Sequence, residues 1–254
     1  MYSEEKSPKL KKSLGQNFLI DQNILRKEAR LLNPEHKTVL EIGPGDGRLT
    51  EKILELGPER LFAIEKDARM VEVLNEKFND KNLTLIKADV LEFELPQVDV
   101  VAGNIPYYIT SSIIFRLAKQ KFDCAVLIVQ KEFAQKMVAK PGEKNYGRLS
   151  VTAQLAFDVE LIQIVPRHVF RPIPKVDSAM IVLKPTGKIL AQEEENIIRY
   201  LFTHKNKTVR NALLDSKMFE KEELKEEMLG KFVKRKVRTL TKEEVLEIAK
   251  QLKR

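Results

Sequence analysis

The chain has 254 residues, room for one large domain or a domain with a small companion, and its 43% hydrophobic content is enough for a sizeable core. It contains no apolar run of about 18 residues, and its lysine-rich start has no apolar signal region, so no membrane span and a cytoplasmic protein are expected. A single cysteine, Cys124, excludes a disulfide framework and a cysteine-ligated zinc site; the formal net charge of +8 points to a polyanionic partner, unless the charged surface reflects adaptation to heat.

Residues 1–12 carry Lys6, Lys9, Lys11 and Lys12 with little apolar content and read as a mobile basic arm. The stretch from Gln16 through Asn17 and Phe18 to Leu19 is neither periodic nor polar. It reads either as a loop packing Phe18 on the core or as a flap over a ligand. Asp21 is placed to cap a helix carrying Leu25, Ala29 and Leu32, which Pro34 ends.

The segment Val39 to Thr50 organises the rest. An apolar run enters a loop with Gly43, Gly45 and Gly47, and then Leu49, Ile53 and Leu56 recur at the spacing of one helix face. Strand, glycine turn and helix together make a seat for a nucleotide-like ligand, because glycine lets the backbone approach and the helix start offers unpaired N–H groups. The dinucleotide fingerprint G-x-G-x-x-G is not met, since Arg48 stands where its last glycine belongs. Glu41, just before the glycines, disfavours a phosphate and favours a cationic ligand, which suits the ammonium and sulfonium of S-adenosylmethionine.

A second strand, Leu61 to Ile64, ends at Glu65, spaced from the glycines as the acid that accepts ribose hydroxyls is spaced. A helix with Met70, Val73, Leu74 and Phe78 follows, then a third strand from Leu83 ending at Asp89, an acceptor for the adenine amine. The fourth strand, Val98 to Ala102, delivers Gly103-Asn104-Ile105-Pro106-Tyr107-Tyr108. An adenine amino group is a poor nucleophile because its lone pair is delocalised into the ring, so a catalyst must accept its hydrogens. Asn104 supplies one carbonyl, the backbone of Ile105 or Pro106 a second, Pro106 fixes the turn, and Tyr107 stacks on the base. Read alone, Asn-x-Pro is a turn; in register with the glycine loop, Glu65 and Asp89, it reads as a site.

Thr110 or Ser111 is placed to cap the next helix, which turns Ile113, Ile114 and Leu117 inward. Cys124 begins a fifth, apolar strand, a helix with Phe133 and Met137 follows, and residues 143–148 read as a loop that could act as a lid. Leu161 to Val165 and Ala179 to Leu183 form a closing pair of strands. The basic, proline-rich loop between them has Phe170 at its middle, either a core plug or a second face for the base. Pro185-Thr186-Gly187 marks a boundary, beyond which only helical signals remain, including a capping box at Thr241 and Glu244. Lys205, Lys207 and Arg210 form one basic cluster, and Lys231, Lys234, Arg235, Lys236 and Arg238 another; each is either a solvated face or a phosphate contact. The three histidines show no metal-ligand spacing.

Five stretches carry a resemblance: residues 14–19 (LGQNFL), 39–47 (VLEIGPGDG), 104–107 (NIPY), 169–178 (VFRPIPKVDS) and 202–213. Together they resemble the ribosomal RNA adenine N6,N6-dimethyltransferase family, the bacterial enzymes linked to kasugamycin sensitivity. The resemblance implies an α/β, Rossmann-like S-adenosylmethionine-dependent methyltransferase domain over residues 1–185 and a small helical RNA-binding domain over 186–254. It implies transfer of four methyl groups to two adjacent adenosines near the 3′ end of small-subunit ribosomal RNA, in an immature 30S particle, by a monomer that needs no metal. It assigns the cofactor pocket to residues matching Asn17, Leu19, Gly43, Glu65, Asp89 and Asn104, with Gln16 and Gly45 beside them. It gives the target base to Asn104, Pro106, Tyr107 and Phe170, and RNA contact to Lys205, Lys207 and Arg210. Where a denser arginine cluster is expected before Thr208, the chain has Lys205-Asn206-Lys207. Two rivals stand beside this reading. One is a large-subunit methyltransferase of the macrolide-resistance type, disfavoured by the Phe170 loop and the helical tail. The other is a non-catalytic RNA-binding assembly factor on the same fold, disfavoured by the intact 104–107 motif.

Overall fold

The computed structural model describes residues 16–217, 219–220, 224 and 226–252, so the expected basic arm over residues 1–12 lies outside the described residues. The chain divides into two compact units. One comprises the residues up to Ala134 with Glu160–Pro185, the other Gln135–Val159 with the residues from Thr186 on. The chain passes between the units after Ala134, Val159 and Pro185. Within residues 135–159, the apolar side chains Tyr146, Val151 and Leu155 belong to the core of the helical unit.

In the first unit, strand β1 (Phe18–Leu19) leads to helix α1 (Gln22–Leu32). The Asp21 carboxylate accepts the N–H groups of Asn23 and Ile24 at 2.9 and 3.0 Å, and so caps the helix as expected. β2 (Thr38–Ile42), α2 (Arg48–Leu54), β3 (Arg60–Glu65), α3 (Ala68–Lys77) and β4 (Leu83–Lys87) follow in strict alternation. β5 (Val100–Asn104) begins two residues later than its sequence pattern suggested, which carries Asn104 into the strand end. Then come α4 (Thr110–Leu117), β6 (Cys124–Gln130) and α5 (Lys131–Val138). Neither Thr110 nor Ser111 caps α4. A 3-10 turn over Tyr107–Ile109 runs straight into it, and the Thr110 hydroxyl donates back to the Pro106 carbonyl at 3.3 Å.

A helix unforeseen from sequence, α6 (Arg148–Ala156), precedes β7 (Phe157–Val165). It is buried on nearly every side, so it lacks the one-sided apolar period by which a helix is recognised. β8 (Phe170–Arg171) pairs antiparallel with β1, and β9 (Ser178–Pro185) pairs antiparallel with β6. The main sheet has the order β4-β3-β2-β5-β6-β9-β7, with β4 through β6 parallel. Leu25, Ala29 and Leu32 of α1 join Val39, Val100 and Val126 of the sheet in one core. Successive strands step outward from β2 in one direction and from β5 in the other, which makes the β2–β5 border the switch point where open α/β sheets bind ligands.

The second unit adds α7 (Gln192–Thr203), α8 (Val209–Asp215), α9 (Glu226–Leu229) and α10 (Lys242–Gln251) around a core that includes Ile198, Leu213, Phe232 and Ile248. Thr241 and Glu244 form the expected capping box at α10. The loop before α6 is anchored at Tyr146. Tyr146 is buried, donates its hydroxyl to the Leu240 carbonyl at 2.7 Å and meets Phe202 edge-on. No helix among the described residues is long and apolar enough to cross a membrane.

The border of β2 and β5 admits no side chain at Gly103: a Cβ there would lie 2.6 Å from the Ile42 carbonyl oxygen, a backbone atom that cannot yield alone. Gly103→Ala is therefore expected to destabilise the fold by about 1–3 kcal/mol, the usual range for overpacking. Urea unfolding checks this, and an unchanged midpoint would contradict it.

Candidate active site

Four strand ends converge on one cavity of about 220 Å³. From β2 comes the glycine loop, with Gly43, Gly45 and Gly47 all at positive φ. A Cβ at Gly45 would lie 2.6 Å from the Phe18 ring, and one at Gly47 2.5 Å from the Phe78 ring. From β3 comes Glu65, whose two carboxylate oxygens accept the N–H groups of Gly45 at 3.1 Å and Asp67 at 2.8 Å. Burial raises its pKa, against the pull of these backbone bonds. Just past β4 lies Asp89, which accepts the Leu91 N–H at 2.9 Å and pairs with Lys66 at 2.6 Å. That lysine contact holds its carboxyl below the ordinary range.

The flap and the proline-rich loop, 150 positions apart in sequence, close the same cavity together. Phe18 pairs with Arg171 and Leu19 with Phe170, and the Ile20 N–H reaches the Val169 carbonyl at 2.9 Å. The two readings of Gln16 to Leu19 thus merge: the segment is a strand that puts Phe18 against Gly45 and also lines the cavity through Gln16, Asn17 and Leu19. Gln16 is tied down by its amide, which donates to Asp67 at 3.1 Å. Asp67 in turn caps α3, and its bond with Arg69 pulls its pKa to about 2. Phe170 is 3% exposed yet still borders the cavity, so it is both core and wall.

From β5 comes Asn104. Its side-chain oxygen is buried and has no hydrogen-bond partner among the described residues. The Pro106 carbonyl already accepts two bonds, from the Ile109 N–H at 3.1 Å and the Thr110 hydroxyl, so of the two backbone acceptors considered only Ile105 stays available. Tyr107 lines the cavity with its hydroxyl 2.8 Å from that of Ser178. Tyr108, which sequence reasoning gave no part, borders the mouth with 61% of its surface exposed.

A profile of the ribosomal RNA adenine dimethylase family matches residues 7–254. The chain belongs to that family. It is 45% identical over 207 residues to a probable ribosomal RNA small subunit methyltransferase A of Thermococcus sibiricus, across 80% of this chain and 75% of that one. The crystal structure of a dimethyladenosine transferase from Plasmodium falciparum superposes with a TM-score of 0.81 at 30% identity, covering 91% of this chain and 95% of the other. The 23S rRNA methyltransferase ErmE gives a TM-score of 0.69 at 27% identity, over 93% and 100%.

As a ribosomal RNA adenine dimethylase the protein is an S-adenosylmethionine-dependent methyltransferase with a Rossmann-like sheet, and ribosomal RNA is its substrate. The cavity suits that cofactor: it offers acceptors at the ends of β3 and β4, a glycine turn without side chains, and a buried carbonyl oxygen awaiting a donor. One electrostatic expectation needs correction. Glu41 lines the cavity but is 1% exposed and accepts the Thr50 hydroxyl at 2.7 Å. Burial pushes its pKa up to about 8; Glu65 and Asp46 add to this, while Thr50 and Lys77 oppose it. Around neutral pH it is mostly protonated, and only a cation set beside it would draw out the charge that the sequence reading assumed. Behind it, Glu28 of α1 is wholly buried with both oxygens unpartnered among the described residues, and its pKa is raised by burial and by Glu41.

The expected RNA-binding residues are drawn in different directions. Lys205 donates to the carbonyls of Lys144 and Tyr146 at 3.2 and 2.8 Å, Lys207 pairs with Asp215, and Arg210 is half-buried on α8. Backbone bonds join this segment to the second basic cluster: Val209 N–H to Arg235 carbonyl, Val237 N–H to Lys207 carbonyl and Arg238 N–H to Lys205 carbonyl. Two clusters separate in sequence thus form one ridge, on which Lys234, Lys236 and Arg238 are exposed and have no ion pair among the described residues. Cys124, expected to be buried, is half-buried at the head of β6, its thiol pushed up by burial.

Glu28 and Glu41 set a pH dependence whose sign follows from their raised pKa values. The contribution of Glu41 is most favourable below the ordinary carboxylate range and is eroded as pH rises from about 4.5 towards 8, because the unfolded chain ionises first, and that of Glu28 is eroded in the same direction. Glu28→Met is expected to make the fall in unfolding free energy with rising pH shallower. Parallel profiles for variant and parent in urea titrations would refute this.

Proposed function

We propose that the enzyme places two methyl groups on the N6 nitrogen of each of two adjacent adenosines near the 3′ end of small-subunit ribosomal RNA, acting as a cytoplasmic monomer on an immature 30S particle. The observation that carries the chemistry is the buried, unpartnered oxygen of Asn104 at the cavity wall. A buried carbonyl left without a donor is costly, so its partner is the ligand's N–H. Asn104 and the Ile105 carbonyl accept the two hydrogens of the adenine amine and favour a pyramidal nitrogen with its lone pair directed out of the ring. Pro106 holds this turn rather than accepting a hydrogen itself. Tyr107 and Phe170 offer aromatic surface to the extruded base.

Bound S-adenosylmethionine supplies an electrophilic methyl on positively charged sulfur, which needs no metal because the sulfur ends neutral. Glu65 would hold its ribose hydroxyls and Asp89 its adenine amine, with Gly43 and Gly45 admitting the backbone and Gln16, Asn17 and Leu19 covering it. The choice of the small subunit over the large is supported by the naming of the Thermococcus relative at 45% identity against ErmE at 27%. Of the basic residues, Lys234, Lys236 and Arg238 have the exposure that phosphate contact requires, with Lys207 beside them through the backbone pairing and Arg210 on the adjoining helix. Lys205 is better explained as a tie for the 144–146 loop.

Asn104→Ala is expected to slow methyl transfer roughly 100-fold or more while cofactor affinity stays within a few-fold, as loss of a transition-state partner requires. Labelled-methyl transfer to small subunits, large subunits and free DNA, with mapping of the labelled base, checks both rate and substrate; labelling confined to large subunits would sink the reading. Replacing Lys234, Lys236 and Arg238 together by Ala should flatten the dependence of log affinity on log salt by roughly 2, at about 0.7–0.9 per lost phosphate contact. An identical slope would remove this ridge from the RNA interface.

A further inference from the structure

Ser178 opens β9, is 0% exposed and borders the cavity, and it has no part in the chemistry described above. Its hydroxyl lies 2.8 Å from that of Tyr107. Residues 179–183 after it are Ala, Met, Ile, Val and Leu, so packing in this strand calls for apolar side chains, and a buried hydroxyl stands out.

The two ends of this hydrogen bond differ in rigidity. Ser178 is paired with Gln130 in the antiparallel ladder, and the preceding residue, Asp177, accepts the Lys131 N–H on its carbonyl at 3.1 Å. The Asp177 carboxylate also accepts the Arg167 N–H at 3.1 Å. Tyr107 sits instead on a three-residue 3-10 turn, held by the bond from Ile109 to the Pro106 carbonyl, with its ring only partly buried. A ring on so short a turn keeps two side-chain torsions to be fixed, and a hydrogen bond from its far end to a strand fixes both.

We infer that Ser178 is a positioning residue for methyl transfer: its buried hydroxyl holds the hydroxyl of Tyr107 and sets the plane of the ring against which the target base lies. The inference rests on the proposed seat of the target adenine at Tyr107. Either hydroxyl can donate in this bond, and burial raises the Tyr107 pKa, with the Ser178 bond opposing and the Asp177 charge adding to the rise.

The test is single-turnover methyl transfer to immature small subunits by the full chain carrying Ser178→Ala, Tyr107→Phe, or both, with S-adenosylmethionine affinity measured on each. Each single change is expected to slow transfer about tenfold, and the double variant to be no slower than the slower single, because both remove the same bond. Cofactor affinity should stay within about twofold, and Ser178→Cys, which keeps a weak donor, should recover part of the rate. Losses that multiply in the double variant, or a parental rate in Tyr107→Phe, would overturn the inference. Tyr107→Phe removes one hydroxyl from a partly exposed ring and keeps the test decisive should Ser178→Ala fail to fold. If the parent enzyme transfers nothing to immature small subunits, the proposed function fails; if it does and the variants match it, only the role of Ser178 fails.

Discussion

The close approach of β2 and β5 at Gly103 is the constraint on which the site depends. With no side chain at that residue, the Ile42 carbonyl and the end of β5 come within a distance that any Cβ would block. The strands on either side of this border run outward in opposite directions, so the sheet opens a crevice there. The glycine loop leaves β2 on one side of the crevice and Asn104 leaves β5 on the other. The glycine turn and the buried Asn104 oxygen are therefore brought to one cavity by backbone geometry, and the side chains only refine what that geometry provides.

Within the crevice, charge is handled by burial more than by pairing. Glu65 and Asp89 keep backbone or lysine partners, whereas Glu41 and Glu28 lie in the apolar region behind them, where ionisation is costly. A protonated Glu41 is a reserve of negative charge that a cation set beside it can draw out. The same burial makes the stability of the first unit fall as pH rises above the ordinary carboxylate range.

The helical unit follows a different logic. Its core is closed by Tyr146, whose hydroxyl finds a backbone carbonyl, and by apolar residues from α6, α7, α8 and α10. Lys205 is used inside this unit, tying a loop, while the antiparallel bonding of residues 205–209 with 235–238 lines up charges from two separate segments. Position in the fold, rather than membership of a basic run, decides which lysines remain exposed for a polyanion.

The strand–glycine–helix unit, the acids at the ends of β3 and β4, and the Asn104 to Tyr107 turn were all legible in the sequence, because each is a local pattern: an apolar period that stops at a residue able to do chemistry. The Asp21 cap and the Thr241–Glu244 box were legible for the same reason. Helix α6 was not, since a helix buried all round has no periodic contrast, and neither was the ionisation of Glu41, which depends on neighbours from α2, β3 and α3. The pairing of Phe18–Leu19 with Phe170–Arg171, the contact of Ser178 with Tyr107 and the alignment of the two basic segments each join residues that are distant in sequence. Local composition carries no record of which distant segment will supply a partner; that is decided when the sheet and the helical core bury their apolar faces and carry the polar groups into register.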